Sequence, residues 1–235
     1  MSRPLNAYGQ PIGPPVEGWT ERPRPQRAAL TGRYCRVRPI DVARDASALF
    51  DAYMQAADGR DWTYLSQERP ASLASFREYL AKNAASEDPL HYAIVDLTSE
   101  LTVGTAALMR IEPAHGVIEI GYIAFSPLLK QTRAATEAMY LMTRYVFDEL
   151  GYRRYEWKCD SLNERSCAAA IRYGFRFEGI FRKAIVYKSR SRDTAWFSII
   201  DDEWPRIRAA FEAWLKPENF DAAGQQRQAL AALRA

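Results

Sequence analysis

The chain has few cysteines, only two histidines and no long hydrophobic run. Its 235 residues include three cysteines without CxxC spacing and two isolated histidines, so we predict neither a disulfide framework nor a metal site. No window approaches the ~18 uninterrupted apolar residues of a membrane-spanning helix. Residues 1–10 carry no apolar stretch behind Arg3, so we expect no signal peptide and a cytoplasmic protein.

The chain also lacks a large excess of charge of either sign. Lys and Arg number 32 and Asp and Glu number 29, a balance that does not indicate nucleic-acid binding. Residues 153–192 differ, because eleven basic residues there face only four acidic ones. This stretch predicts a positive region that suits an anionic ligand, although a solvated Arg-rich strand face explains it equally well.

The length favours one large domain with extensions, and a 48% hydrophobic composition is typical of a globular protein. Six of the 13 prolines fall in the first 25 residues, so residues 1–30 are predicted to form an extended proline-rich arm. Residues 31–200 are predicted to form the domain, and residues 201–235 a C-terminal helix and tail. Tyr8 and Trp19 favour packing of the arm on the domain or on another subunit.

Hydrophobic periodicity predicts an α/β fold with a mixed, mostly antiparallel sheet flanked by helices. Strands are predicted to begin near Tyr34, His91, Thr102, Val117 and Tyr152, with a final hairpin over residues 175–200. Helices are predicted after the caps Asp41, Ser72 or Ser75, and Asn163, and over residues 132–150 and 201–215. The three strands from His91 to Phe125 should form an antiparallel meander.

The β-α-β-α order that starts at Val117 points to a ligand site. Long connections allow the strands from Val117 and Tyr152 to lie side by side in parallel. Ligands of open sheets bind at the carboxyl ends of such strands. Two helix starts, residues 127–135 and Asn163, meet at that edge, and their free N–H groups suit a phosphate or diphosphate.

These segments resemble a known family. The sequence EIGYIAFSPLLKQTRAATEAM, followed by YRRYEWKCDSLNERSCAAAIRYGFRFEGIFR, is similar to the core of the GCN5-related N-acetyltransferases (GNAT), in particular the ribosomal-protein-alanine N-acetyltransferases. The resemblance covers residues 30–200 and rests on E-I-G-Y, A-T-E-A, D-x-x-N-x-x-S and G-F-x-x-E-G. It implies acetyl-CoA as cosubstrate and a strand that bulges and splays from its neighbour to admit the pantetheine arm.

The resemblance assigns the diphosphate of the cosubstrate to a loop that departs from the family pattern. The family reads Q/R-x-x-G-x-G/A, whereas the aligned residues lack glycine and are Lys130, Gln131, Thr132, Arg133, Ala134 and Ala135. Backbone N–H groups can still face a diphosphate if the dihedrals are helical with negative φ. Lys130 or Arg133 can add charge-assisted contacts. The alternative is a capped helix start with exposed basic residues.

Ser166 is the candidate acid that protonates the departing thiolate. Many relatives use a Tyr seven residues after the Asn, but this chain has Ala170 there. The resemblance points instead to a Ser three residues after the Asn, and Ser166 occupies that place. A thiolate with a pKa of ~8.5 needs little assistance, so a hydroxyl group or a relayed water is adequate. The alternative for Ser166 is support of the helix cap.

Glu119 is the candidate base that removes a proton from the acceptor ammonium. It lies in the apolar run VIEIGYIAF, where a carboxylate is costly to bury without a partner. Alternation places it on the same strand face as Gly121 and Ile123. The alternative is an ion pair with an Arg of a neighbouring strand. Relatives imply that a backbone N–H between Ile123 and Phe125 polarises the thioester carbonyl.

Three further assignments complete the candidate site. Asn163 is predicted to hold the pantetheine amide, to cap its helix, or to do both. Trp62, Tyr64 and Tyr122 are candidates for the acceptor groove, although most aromatic residues at such positions only pack. A covalent route through Cys159 lacks an activating His nearby, so a buried strand cysteine is favoured.

The sequence thus predicts transfer of an acetyl group from acetyl-CoA to a primary amine by direct attack in a ternary complex. A protein N-terminus follows from family analogy, and a small-molecule amine fits equally well. One alternative is a catalytically silent CoA-binding or protein-interaction module, indicated by the missing glycines and Tyr. Another is a nucleic-acid-binding domain that uses residues 153–192, although neither nucleic acid nor a membrane is an expected partner. The oligomeric state stays open, with a homodimer among the alternatives.

Overall fold

The sheet organises the molecule. The computed structural model describes residues 3–234, and residues 1, 2 and 235 of the predicted arm and tail lie outside the described residues. Eight strands have the bounds β1 Leu30–Thr31, β2 Cys35–Pro39, β3 Leu90–Asp96, β4 Thr102–Glu112, β5 Val117–Phe125, β6 Arg154–Asp160, β7 Arg176–Tyr187 and β8 Arg190–Ile200. Their order is β1-β2-β3-β4-β5-β6-β8-β7, and only β5 and β6 pair in parallel. The predicted mixed, mostly antiparallel sheet is confirmed.

Five α-helices have the bounds α1 Val42–Met54, α2 Leu73–Ala85, α3 Arg133–Arg144, α4 Glu164–Tyr173 and α5 Trp204–Trp214. Their ends follow from local side-chain chemistry. Asp41, Ser72 and Asn163 each accept a hydrogen bond from first-turn amides, as N-cap residues do. Gly174, at φ 103°, ends α4 in a left-handed conformation that glycine adopts without strain.

The two sheet faces carry separate cores. α3, α4 and α5 contribute to the main core, which also contains Ile118, Ile120 and Trp157 of the sheet. α1 and α2 form a smaller core with Trp62 on the opposite face. Since Glu119 alternates with Ile118 and Ile120 along β5, its side chain points to the face of α1 and α2.

The predicted helical segment 132–150 is not uniform. α3 ends at Arg144, and a π-helical turn covers Tyr145–Glu149. The Leu150 N–H donates to the Tyr145 carbonyl five residues earlier, which is the bond that defines this wider turn. Gly151, at φ 68°, then turns the chain towards β6.

The arm packs on the domain from Trp19 onwards, whereas Tyr8 is 87% exposed and does not pack. The Trp19 indole donates to the Ala114 carbonyl at 2.9 Å, and its ring lies 4.4 Å from the Arg22 guanidinium carbon. Arg27 donates to the carbonyls of Ala84 and Ser86 at the end of α2. These contacts lie away from the carboxyl ends of β5 and β6.

The tail also packs on the domain, but without an α-helix beyond α5 in the described chain. Leu230 is buried in the main core, and Arg234 donates to the carbonyls of Ile171 and Arg172 at the end of α4. None of the helices within residues 3–234 has the length and apolar character required to cross a bilayer.

Candidate active site

β5 and β6 separate at their carboxyl ends. They pair only from Val117 with Arg154 to Ile120 with Trp157. Beyond that point β5 continues to Phe125 and β6 to Asp160 without pairing to each other. We call this opening the fork and define its base by Ile120 and Trp157. It leaves a slot between two strands of one sheet.

A bulge in β5 lies immediately above the base of the fork. Gly121 pairs with Ala107 and Ala124 pairs with Thr105, so that Tyr122 and Ile123 together oppose a single residue of β4. Tyr122 has φ 49°, which is rare for a residue with a side chain. The bulge turns β5 away from β6, as the sequence resemblance implied.

Tyr53 of α1 holds the upper part of the bulged strand. Its hydroxyl donates to the Ala124 carbonyl at 3.0 Å and lies 3.2 Å from the Thr105 hydroxyl.

Ile123 and Phe125, the predicted neighbours of the thioester carbonyl, are partly buried against the main core. Their backbone contact with a carbonyl stays a prediction. The prediction that Ile123 shares a strand face with Glu119 is wrong, because the extra residue of the bulge reverses the alternation after Gly121.

The loop before α3 presents backbone amides at the same edge. The Thr132 hydroxyl accepts from the Ala135 N–H at 3.1 Å and donates to the Leu129 carbonyl. The N–H groups of Arg133 and Ala134 belong to the first helical turn, so no carbonyl of the helix can accept from them. Two amides at the positive end of the helix therefore remain available to an anion.

The backbone of this loop is left-handed at one residue. Gln131 has φ 61° and immediately precedes the Thr132 cap. Helical, negative φ was expected of N–H groups that face a diphosphate, and the residues after the cap, Arg133 and Ala134, are helical whereas Gln131 is not. The left-handed conformation costs about 1 kcal/mol for a residue with a Cβ atom.

The two basic side chains of the loop have partners within the chain. Lys130 Nζ lies 2.5 Å from Asp61 Oδ2. The Arg133 guanidinium carbon lies 5.1 Å from the Tyr34 ring centroid and 4.7 Å from that of Phe220. In this arrangement both basic side chains have partners within the chain, whereas the Arg133 and Ala134 amides of the first helical turn have none among the helix carbonyls.

Asn163 and Ser166 form the start of α4 beside the fork. Asn163 Oδ1 accepts from the Ser166 N–H at 3.1 Å, so the predicted cap is present. Ser166 Oγ accepts from the Trp157 indole at 3.0 Å. Because Trp157 lies at the base of the fork, this bond anchors Ser166 there. The Ser166 hydroxyl still has a proton to donate.

Glu119 forms the predicted ion pair with an Arg of a neighbouring strand, and its two carboxylate oxygens have different surroundings. Oε2 lies 2.5 Å from Arg110 Nη1 on β4 and 3.0 Å from Lys158 Nζ on β6. Oε1 has no hydrogen-bond donor among residues 3–234. It lies beside Gly121, 3.7 Å from the point where a Cβ atom would stand if this residue had a side chain. The ion pairs therefore orient the carboxylate, and one oxygen stays directed towards the bulge.

The candidate base and acid occupy opposite faces of the fork. Glu119 lies on the face of α1 and α2, whereas the Trp157 side chain lies in the main core on the other face and holds Ser166. A group threaded through the fork would thus meet Glu119 on one side and Ser166 on the other.

The three candidate acceptor aromatics differ in exposure. The Trp62 side chain is 4% exposed and packs edge-on against Tyr53, so for this ring the packing alternative applies. Tyr64 is partly exposed and donates to the Leu162 carbonyl beyond β6. Tyr122, also partly exposed, lies 5.0 Å from the His91 ring. Tyr64 and Tyr122 stay candidates for the acceptor groove.

Cys159 lacks the surroundings of a nucleophile. Burial raises the pKa of its thiol to about 12, so the thiolate is absent at neutral pH. Its Sγ atom lies 3.6 Å from the Cys167 Sγ atom. These contacts agree with the buried strand cysteine that the sequence favoured over a covalent route.

The sequence did not reveal the partners of the candidate residues. One signal was present in β6, where Glu156, Lys158 and Asp160 alternate and must share one face. Asp61 carried no signal, because nothing in the local pattern relates it to Lys130.

Some basic residues of the stretch 153–192 form ion pairs. Arg154 contacts Glu156 and Glu178, two of the four acids of the same stretch, and Lys188 contacts Glu68 outside it.

Comparisons with known proteins agree with this geometry. Residues 35–176, more than half of the chain, match the family described as "Acetyltransferase (GNAT) domain". The chain is similar to a GCN5-related N-acetyltransferase from Brucella melitensis, with a TM-score of 0.92 and 49% identity, covering 93% of this chain and 99% of that one. It is similar to a probable acetyltransferase (GNAT family) from Chromobacterium violaceum, with a TM-score of 0.77 and 40% identity, covering 87% and 100%.

Among curated proteins, the chain is similar to the uncharacterized N-acetyltransferase YnaD of Bacillus subtilis (strain 168). The two are 30% identical over 86 residues, which cover 37% of this chain and 50% of YnaD. The chain therefore spans half the length of the curated relative it matches.

Proposed function

Because the chain belongs to the GCN5-related N-acetyltransferase (GNAT) family, we propose that it transfers the acetyl group of acetyl-CoA to a primary amine by direct attack in a ternary complex. The observation that carries this proposal is the fork, with the first-turn amides of α3 at its edge and candidate proton-transfer groups on both faces. Two reactants held across one opening react as in a unimolecular step, which supplies much of the rate.

The residues at the start of α3 fit the diphosphate of the cosubstrate. The Arg133 and Ala134 amides and the helix dipole supply a preorganised anion site. Lys130 adds a charge-assisted contact if it exchanges Asp61 for a phosphate oxygen. Asn163, Gln131, Thr132 and Ala135 hold the two helix starts in position. Acetyl-CoA brings an acetyl group already activated as a thioester.

Glu119 and Ser166 divide the proton transfers. Glu119 Oε1 accepts the proton that the acceptor ammonium loses before its nitrogen attacks the carbonyl carbon. A backbone N–H between Ile123 and Phe125 polarises that carbonyl. As the C–N bond forms and the C–S bond breaks, Ser166 Oγ donates to the sulfur directly or through a water. Solvent restores the Ser166 proton.

The acceptor is a protein N-terminus or a small-molecule amine. On the acceptor face Glu119 keeps one carboxylate oxygen, Oε1, outside its ion pairs with Arg110 and Lys158, and the partly exposed Tyr64 and Tyr122 supply apolar surface. Both features suit a cation with an apolar neighbour. A ribosomal-protein-S5-alanine acetyltransferase from Vibrio fischeri shares the fold, with a TM-score of 0.59 and 16% identity, which leaves the acceptor of this chain to experiment.

A two-part experiment tests the proposal. Calorimetric titration should detect binding of acetyl-CoA to the folded chain, and a thiol-release assay over peptides and small amines should find an acceptor. Absence of binding would contradict the proposal. Binding without turnover across the panel would favour the silent CoA-binding module, whereas salt-sensitive binding of DNA or RNA would favour the nucleic-acid alternative.

Glu119→Gln tests the base, with Glu156→Gln as its control. Glu156 contacts the same Lys158 from β6, where it is the register partner of Glu119. If Glu119 accepts the proton, Glu119→Gln lowers kcat in the thiol-release assay by about 10²-fold, whereas Glu156→Gln retains most of the activity. Similar activity in both variants would leave Glu119 only its ion pairs.

A further inference from the structure

The connection between α1 and α2, residues 55–72, crosses the open end of the fork. We call it the strap. It contacts the loop after β5, the loop after β6 and the turn between β7 and β8. The contacts are Asp61 Oδ2 to Lys130 Nζ at 2.5 Å, Tyr64 Oη to the Leu162 carbonyl at 3.1 Å, and Lys188 Nζ to the Trp62 carbonyl at 2.7 Å. One segment thereby contacts three loops, two of which follow β5 and β6, the strands of the fork.

The strap lies on the side from which the acceptor would approach. It connects α1 and α2, which share the sheet face of Glu119, and buried Trp62 fixes its middle against Tyr53. Arg69 donates to the carbonyls of Met54 and Ala56, which ties together the two ends of the strap. Movement of the strap would therefore change access to Glu119.

The pair of Asp61 and Lys130 differs from the other strap contacts. Lys130 belongs to the loop that the proposed function assigns to the diphosphate, whereas Leu162 and Lys188 do not. Both side chains are partly exposed, 25% for Asp61 and 38% for Lys130, so water screens the pair and it exchanges easily. A diphosphate brings more negative charge to Lys130 than one carboxylate can supply.

We propose, resting on the proposed function, that Asp61 is a positioning residue that links occupation of the diphosphate loop to the mobility of the strap. In the free chain, Asp61 ties the strap to the loop through Lys130. A bound diphosphate takes over Lys130, the tie is broken, and the acceptor enters beneath a looser strap. Such coupling is reciprocal, so loss of Asp61 must favour CoA binding.

Asp61→Asn tests the first consequence by calorimetry with CoA. The amide keeps the size of the side chain but removes its charge, so Lys130 becomes free and repulsion of the phosphates disappears. We expect CoA to bind about threefold to tenfold more tightly at low salt. Asp61→Glu should restore the wild-type affinity.

Asp58→Asn is the matched control, because Asp58 lies in the same strap but pairs with Arg60 two residues away. Its CoA affinity should match that of the wild type. If Asp58 and Asp61 only stabilised the strap, Asp58→Asn and Asp61→Asn would change the CoA affinity by similar amounts.

Hydrogen exchange tests the second consequence without an acceptor. Bound ligands ordinarily slow exchange near their site, whereas the proposed release requires CoA to accelerate exchange in residues 58–66 of the wild type by at least about threefold. In Asp61→Asn the exchange should be equally fast with and without CoA.

The outcomes separate this proposal from the proposed function. CoA affinity in Asp61→Asn that equals or falls below the wild-type value overturns the coupling, and so does unchanged or slower strap exchange on CoA addition. A wild-type chain that does not bind CoA overturns both the coupling and the proposed function.

Discussion

The starts of α3 and α4 lie at the same edge of the sheet but present different groups. At α3, Lys130 and Arg133 have side-chain partners, and backbone amides remain available. At α4, Asn163 caps the first turn, and the Ser166 hydroxyl remains available. A site built from backbone tolerates many side chains, whereas a site built from a hydroxyl does not. This difference explains how a glycine-free loop can still suit a diphosphate.

The largest effect is expected at the start of α4, where the Ser166 hydroxyl is the available group. Ser166→Ala removes the only hydroxyl that the Trp157 indole holds at the fork. We expect kcat in the thiol-release assay to fall about 10²-fold, the usual loss of one acid group, with an unchanged dissociation constant for CoA. Ser161→Ala, in the loop that precedes α4, is the control. A fall below threefold would leave the Ser166 hydroxyl with its bond to Trp157 alone.

The second effect concerns the anchoring of α3. The buried Glu137 carboxylate accepts from the N–H groups of Arg33, Tyr34 and Cys35, and a Cβ at Gly32 would overlap it. Glu137→Gln removes the charge from these bonds, so the free energy of unfolding should fall by about 2 kcal/mol in urea denaturation.

Glu149→Gln is the control for Glu137→Gln. Glu149 is exposed and lies 3.9 Å from Arg144, so its loss should change the free energy of unfolding by less than about 0.5 kcal/mol. Equal losses in both variants would contradict an anchoring role of the Glu137 carboxylate.

The third effect separates backbone from side chain at α3. Arg133→Pro removes both the first-turn N–H and the guanidinium, and proline is tolerated at this helical position. Arg133→Ala removes only the guanidinium. We expect CoA to bind about tenfold more weakly to Arg133→Pro than to Arg133→Ala, as measured by calorimetry. Equal affinities would show that the Arg133 N–H group does not bind the diphosphate.

The smallest effect concerns Gln131 and its φ of 61°. Gln131→Gly relieves the left-handed strain but adds chain entropy to the unfolded state, so the free energy of unfolding should rise by about 0.5 kcal/mol. Gln131→Val should lower it by about 1 kcal/mol, because a β-branched residue fits this conformation poorly. Reversal of this order in thermal unfolding would contradict the role of Gln131 in shaping the loop.

Much of the fold was predictable from local patterns. Alternation in VIEIGYIAF and the caps Asp41 and Asn163 determine which residues form strands and where helices begin, because these signals act over only a few residues. The long connection after β5 allowed the parallel pair to be predicted as well. The π-helical turn at Tyr145–Glu149 was missed, because its apolar pattern is that of an ordinary α-helix.

The chain by itself therefore determined the order of strands and helices and the two helix starts that border the fork. Only the tertiary structure decided which partner each charged side chain has. Lys130 contacts Asp61, and Arg133 lies between Tyr34 and Phe220. Glu119 directs one oxygen to its cations and the other to the bulge. The physical reason is distance along the chain. Periodicity reports which face a side chain occupies, whereas its partner comes from a remote segment that packing brings within a few ångströms.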